Sequence, residues 1–139
     1  MQVGKSFGKQ QLKITSTRVT HSGGVTTFEA DICGRLTTPD GSAMHHGTYV
    51  FTASPGRKLV PYTYTGVSNF PSGYGAVLSG CGFSKRSPDG SGKLLLRGTM
   101  CHIGVSDPNL QQLLDEQVIV EGTLDPMENT LIGEGFEWM

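Results

Sequence analysis

The chain predicts an all-β fold: an antiparallel up-and-down barrel of about eight strands with one short α-helix near 107–116. Three features of the sequence carry that expectation. From Gln11 onward the residues fall into short extended runs bounded by Gly, Pro, Asp, Asn or Ser, with connections brief enough for sequential strands to pair. Eight such runs suit a small closed barrel. Glycine, 20 residues in 139, sits at loop tips but also inside the runs, as in Gly80-Cys81-Gly82, Arg97-Gly98-Thr99, Glu121-Gly122-Thr123 and Gly133-Glu134-Gly135. Interior glycine weakens a flat strand and suits one that is bent or closely packed. With 36% hydrophobic and only 17% charged residues, the composition supports a packed core and argues against disorder.

Residues 1–10 are polar and Gly-rich, which predicts a flexible N-terminal arm ahead of a single barrel domain over 11–139. The strands are predicted at 11–19, 25–36, 46–54, 58–66, 73–83, 93–104, 117–124 and 130–138. In the second, Phe28, Ala30, Ile32 and Leu36 share one face while Glu29, Asp31 and Arg35 share the other, so one side is wet. In the third Tyr49 travels with Phe51, and in the fourth Val60 travels with Tyr62 and Tyr64. The sixth places Leu94, Leu96, Met100 and His102 together, yet is apolar on its other side at several points, as if something packed outside it. In the seventh, Val118, Val120 and Leu124 oppose Gln117, Glu121 and Thr123, and Ile119 is left facing solvent. In the eighth, Ile132, Glu134, Phe136 and Trp138 are taken as the inner face.

Asp107 before Pro108 supplies an N-cap and a proline at the first helical position. Leu110, Leu113 and Leu114 then form an apolar stripe, which predicts an amphipathic helix over Asp107 to Glu116, closing a barrel end or coating the sixth strand.

Charge and motifs exclude more than they assign. The net charge is −1 with no basic cluster, so nucleic acid is not an expected partner. No run approaches the roughly 18 apolar residues of a membrane span, and the opening residues lack the apolar core of a secretion signal, so a soluble, cytoplasmic protein is expected. Cys33, Cys81 and Cys101 share no Cys-x-x-Cys spacing and read as free thiols. Neither Gly73-Tyr74-Gly75 nor Gly80-Cys81-Gly82-Phe83 completes a phosphate-binding loop. His45-His46 is the one local pair of metal-capable side chains, but neighbours on a strand diverge, so the pair reads as a surface turn and no metal or other cofactor is expected.

The projected interior is apolar with polar tips at Glu134, His102, Tyr49, Tyr62 and Tyr64, a composition suited to a small-molecule pocket. The architecture resembles the barrels of calycins and allene oxide cyclases in strand count and glycine use. Three functions are consistent with it. The first is binding of a small, mostly apolar molecule inside the barrel, with Phe28, Tyr49, Phe51, Tyr62, Tyr64, Met100, Phe136 and Trp138 as walls and a cavity of several hundred cubic ångströms, about the size of known ligand pockets. The second is a cofactor-independent isomerase or cyclase on an apolar substrate, with Glu134 and His102 transferring the proton and Tyr64 donating a hydrogen bond. The third is a structural protein whose low-charge strands pack against further copies as a homo-oligomer. Exposed Trp138 and tyrosines would also suit sugar stacking.

Overall fold

Residues 3–39 and 41–138 are described by a computed structural model. Eight strands run in sequence order around a closed antiparallel barrel: β1 (Val3–Ser22), β2 (Val25–Thr38), β3 (Gly41–Ala53), β4 (Val60–Asn69), β5 (Gly75–Arg86), β6 (Leu94–Val105), β7 (Gln117–Asp125) and β8 (Thr130–Trp138). A 3-10 helix, Pro108–Asp115, links β6 to β7. No described helix is long and apolar enough to cross a membrane.

Of the expected loose arm over 1–10, residues 3–10 are instead part of β1, and Met1 and Gln2 lie outside the described residues. From Val3 to Lys13 this strand pairs with β8, Val3 opposite Trp138 and Lys13 opposite Thr130. From Lys9 to Ser22 it also pairs with β2, and an irregularity between Ile14 and Ser16 lets one long strand bend to serve both neighbours. Polarity misleads in this segment because the strand is held by backbone hydrogen bonds, which Gly, Lys and Gln residues form as well as apolar ones do. The β1–β2 turn is Gly23-Gly24, both with positive φ, the conformation that a two-residue hairpin matched to strand twist requires.

The inner faces of β2, β3, β4, β6 and β7 follow the alternation seen in the sequence. Ile32, Tyr49, Phe51, Tyr62, Tyr64, Leu96, Met100, Val118, Val120 and Leu124 form one buried cluster with Leu12, Leu78 and Leu131, and Phe28 packs against it. The eighth strand is inverted relative to expectation. Leu131 and Gly133 are buried, whereas Ile132 is 59% and Trp138 54% exposed. Inner positions taken by glycine carry no side chain, so the alternation of the large residues marks the outer wall. Ile119, expected in solvent, is buried between its paired neighbours Thr99 and Phe136 without joining the interior cluster.

The helical link starts where expected: Asp107 accepts a hydrogen bond from the Asn109 amide at 2.9 Å. It is 3-10 rather than α. Leu113 is buried while Leu114 is 39% exposed. The helix packs against β6, and Leu113 reaches the end of the barrel interior beside Leu36, Ala76 and His102.

Candidate functional site

Aromatic rings occupy the place where a guest was expected. Tyr49 packs on Tyr64 with ring centroids 4.4 Å apart, on Tyr62 at 5.5 Å and on Phe51 at 5.9 Å, and Phe51 meets Phe28 at 6.0 Å. These rings lie over glycine pairs that face each other across neighbouring strands. Gly47 opposes Gly66, with the Tyr64 hydroxyl against both, and Gly82 opposes Gly98, with the Tyr62 hydroxyl against both. A Cβ at Gly47 would stand 2.5 Å from Tyr64 Oη, and one at Gly98 2.6 Å from Tyr62 Oη, closer than packed atoms approach. The interior glycines thus make room for tyrosine. Burial raises the pKa of Tyr62 to about 12 and moves Tyr49 in the same direction, so both rings stay neutral phenols.

Polar side chains collect at the end closed by the 3-10 helix. His45 on β3 and Ser68 on β4 are fully buried, with His45 Nδ1 and Ser68 Oγ 2.7 Å apart. The His45 ring stacks on Tyr64 at 5.6 Å. His45 Nε2 and Tyr64 Oη have no hydrogen-bond partner among the described residues. Burial, helped by repulsion from His46, lowers the pKa of His45 to about 4, and burial lowers that of His102 too. Sequence reasoning placed His45-His46 in a surface turn. Both lie within β3, where His45 points inward and His46 outward, as strand geometry demands of neighbours.

The acid–base set expected from the sequence is split by the sheet wall. His102 and Tyr64 are interior, 7% and 1% exposed, whereas Glu134 stands on the outer face of β8 and accepts a hydrogen bond from Ser6 Oγ at 3.1 Å. Of the expected ligand walls, Phe28, Tyr49, Phe51, Tyr62, Tyr64 and Met100 face inward, but Phe136 and Trp138 do not. Among the described residues no three His, Cys, Asp or Glu side chains are grouped to hold a metal.

A concavity of about 810 Å³ lies on the outer wall over β5, β6, β7, β8 and β1. Two side-chain rows cross it. In one, Phe83, Arg97, Glu121, Glu134 and Lys9 succeed one another from strand to strand; in the next, Lys85, Leu95, Thr123, Ile132 and Gln11 do so. Arg97 bridges Glu121 at 3.2 Å. Phe83, Ile132 and Leu59 are 53%, 59% and 50% exposed, and Phe136 borders the same groove. Pairing of β6 with β7 brings Arg97 and Glu121 to this wall opposite each other. The groove was missed because the inverted face of β8 hid Ile132, Glu134 and Phe136 from it. The clue available was the pair Gly133 and Gly135, which leaves that strand's other face without side chains.

Elsewhere on the outer wall Asp31 gathers Arg18, Ser16 and Thr48, at 2.8, 2.6 and 2.8 Å. These partners hold its carboxyl well below the usual carboxylate range.

No family model matches the chain, and no curated protein matches it in sequence. Solved structures share the fold, two of them as follows. A protein of unknown function from Clostridium acetobutylicum ATCC 824 superposes with a TM-score of 0.83 at 7% identity, each chain covered in full at 100%. A conserved protein of unknown function from Rhodopseudomonas palustris superposes with a TM-score of 0.80 at 10% identity, covering 98% of this chain and 96% of that one. At such identities the likeness concerns architecture alone.

Proposed function

We propose that the protein binds a small, largely apolar molecule in the groove on its outer wall. The observation that carries this reading is a concavity of about 810 Å³ bordered by Phe83, Leu95, Ile132 and Phe136, within the volume range of small-molecule sites. Apolar side chains of this size lose water when a guest settles on them. Lys9, Lys85 and Glu134, among the lining, supply polar groups that can fix a guest's orientation. The test is a fluorescence titration with the apolar dye 8-anilinonaphthalene-1-sulfonate. Ile132→Glu and Phe83→Ala are each expected to weaken dye binding by about tenfold, the loss of roughly one buried aliphatic contact, while Tyr49→Phe in the interior leaves it unchanged. Dye binding as tight in both groove variants as in the parent would remove the groove from consideration.

The exposure of Phe83 and Ile132, 53% and 59%, also favours a second reading, in which the same wall meets another copy of the chain. Light scattering separates the two. A monomer at all concentrations, with dye binding intact, supports the small guest, and a dimer that Ile132→Glu dissolves supports self-assembly.

A further inference from the structure

The fold gathers basic residues that the sequence disperses. Arg57 and Lys58 in the β3–β4 connection, Lys85 and Arg86 at the end of β5, and Lys93 just before β6 are five of the 11 Lys and Arg residues, and all five are exposed. Strand register brings them to one corner of the groove. Val60 pairs with Ser84, so Leu59 and Lys58 run beside Lys85 and Arg86, which pair in turn with Leu95 and Leu94. Lys93 comes next, its carbonyl accepting a hydrogen bond from the Ser87 amide at 2.9 Å. None of the five forms an ion pair among the described residues. The acids on the adjoining elements are engaged elsewhere: Glu121 bridges Arg97 at 3.2 Å, Asp89 accepts from the Ser91 amide at 2.9 Å, and Asp125 accepts from the Met127 amide at 3.0 Å. Glu134, toward the other end of the groove, stands opposite Lys9. In the basic corner Leu59 and Phe83 are 50% and 53% exposed, and Lys85 lines the groove with them. Unbalanced positive charge and bare apolar surface therefore adjoin.

We propose, on the footing that the groove is the binding site, that its guest is an amphipathic anion: one carboxylate or similar head group on an apolar body, with the head at Lys85 beside Arg57, Lys58 and Arg86 and the body laid over Phe83 and Leu95 toward Ile132. A neutral apolar molecule gains only from losing water at these side chains, whereas an anion gains as well from the local positive potential, which acts over about 8 Å at physiological ionic strength. A cation of the same shape is repelled. The basic side chains are exposed and long, so they can meet the head group while it stays partly hydrated, and no charge has to be buried.

The experiment compares decanoate with 1-decanol, which share an unbranched apolar chain and differ in charge, by calorimetry at pH 7. Decanoate is expected to bind about tenfold more tightly at low ionic strength, an advantage that shrinks as salt is added. Lys85→Gln, and the double variant Arg57→Gln with Lys58→Gln, are each expected to weaken decanoate about fivefold and decanol far less. Arg35→Gln, which removes the same charge from β2 outside the groove, is expected to leave both as they were. Ile132→Glu is expected to weaken both. Decanoate and decanol bound alike, each weakened by Ile132→Glu, would overturn the anion and leave the groove standing; binding of neither would overturn both. If decanoate is refused while vesicles of phosphatidylglycerol, and not those of phosphatidylcholine, retain the protein, the corner faces an anionic bilayer and the proposal is overturned.

Discussion

His45 shows no exposed surface, and its Nδ1 meets Ser68 at 2.7 Å, so a proton added to the ring has to be accommodated without water. In the folded protein the ring has a pKa of about 4, against 6.5 for the ordinary side chain. Between those values the unfolded chain carries a proton that the native state refuses, so stability is complete above pH 6.5 and drains away as the pH falls, by about 3 kcal/mol at pH 4. His102, lowered by burial as well, acts in the same direction. Asp31 has a depressed carboxyl pKa, and its share is lost only as the pH falls below its ordinary value of 3.8, outside that window. Urea unfolding at pH 7 and at pH 4.5 is expected to give a clearly lower midpoint in acid, and His45→Gln to shrink the difference; equal midpoints for the parent protein would show that the imidazole gains a proton without penalty. At this scale the sequence was legible where large residues alternate, so that Tyr49, Phe51, Tyr62, Tyr64, Met100 and His102 could be assigned inward correctly. It was illegible where glycine holds the inner position, which is why Glu134, Phe136 and Trp138 were assigned to the wrong side.

Between strands, the unit of packing is a facing glycine pair with an aromatic tip laid over it. Gly47 with Gly66 and Gly82 with Gly98 receive Tyr64 and Tyr62, and Gly133 of the third pair, Gly122 with Gly133, has the Gln10 side chain nearby. Gly66→Ala is expected to destabilise the protein by about 1–3 kcal/mol, the usual cost of an added carbon in a filled interior. The nearest obstacle is the Tyr64 hydroxyl, so the double variant Gly66→Ala with Tyr64→Phe should recover part of the loss. Chemical denaturation of the four proteins measures the coupling, and strictly additive effects would show that the ring is not what the glycine accommodates. Glycine inside strands was visible in the sequence and pointed to close packing. Which side chain it accommodates was not, because that depends on strand register, and a shift of one residue exchanges the two faces. The helix was legible through its cap and proline, while its 3-10 form was not, since a segment this short is decided by what it must cover.

For the molecule as a whole, closure depends on the seam between β1 and β8. Its pairs extend from Lys13 with Thr130 to Val3 with Trp138 and take in the polar residues whose composition suggested a free arm. Deleting residues 1–8 removes that half of the seam and exposes the backbone of Phe136 and its neighbours; the loss of several backbone hydrogen bonds is expected to lower the melting temperature by about 10 °C. A truncated protein that melts with the parent would mean the segment is dispensable. Strand number, order and antiparallel sense were all readable from turn residues and spacing, because short connections leave sequential strands little choice but to pair. The seam was not readable as such, for nothing in either segment names a partner more than a hundred residues away.

That partnership also sets a timetable. Within the barrel β1 leaves the ribosome before β8, its partner more than a hundred residues later, so the cylinder cannot shut until β8 has emerged. Until then β1 presents an unclaimed margin to whatever else is nascent, and molecules released before Trp138 is added would be the ones to aggregate.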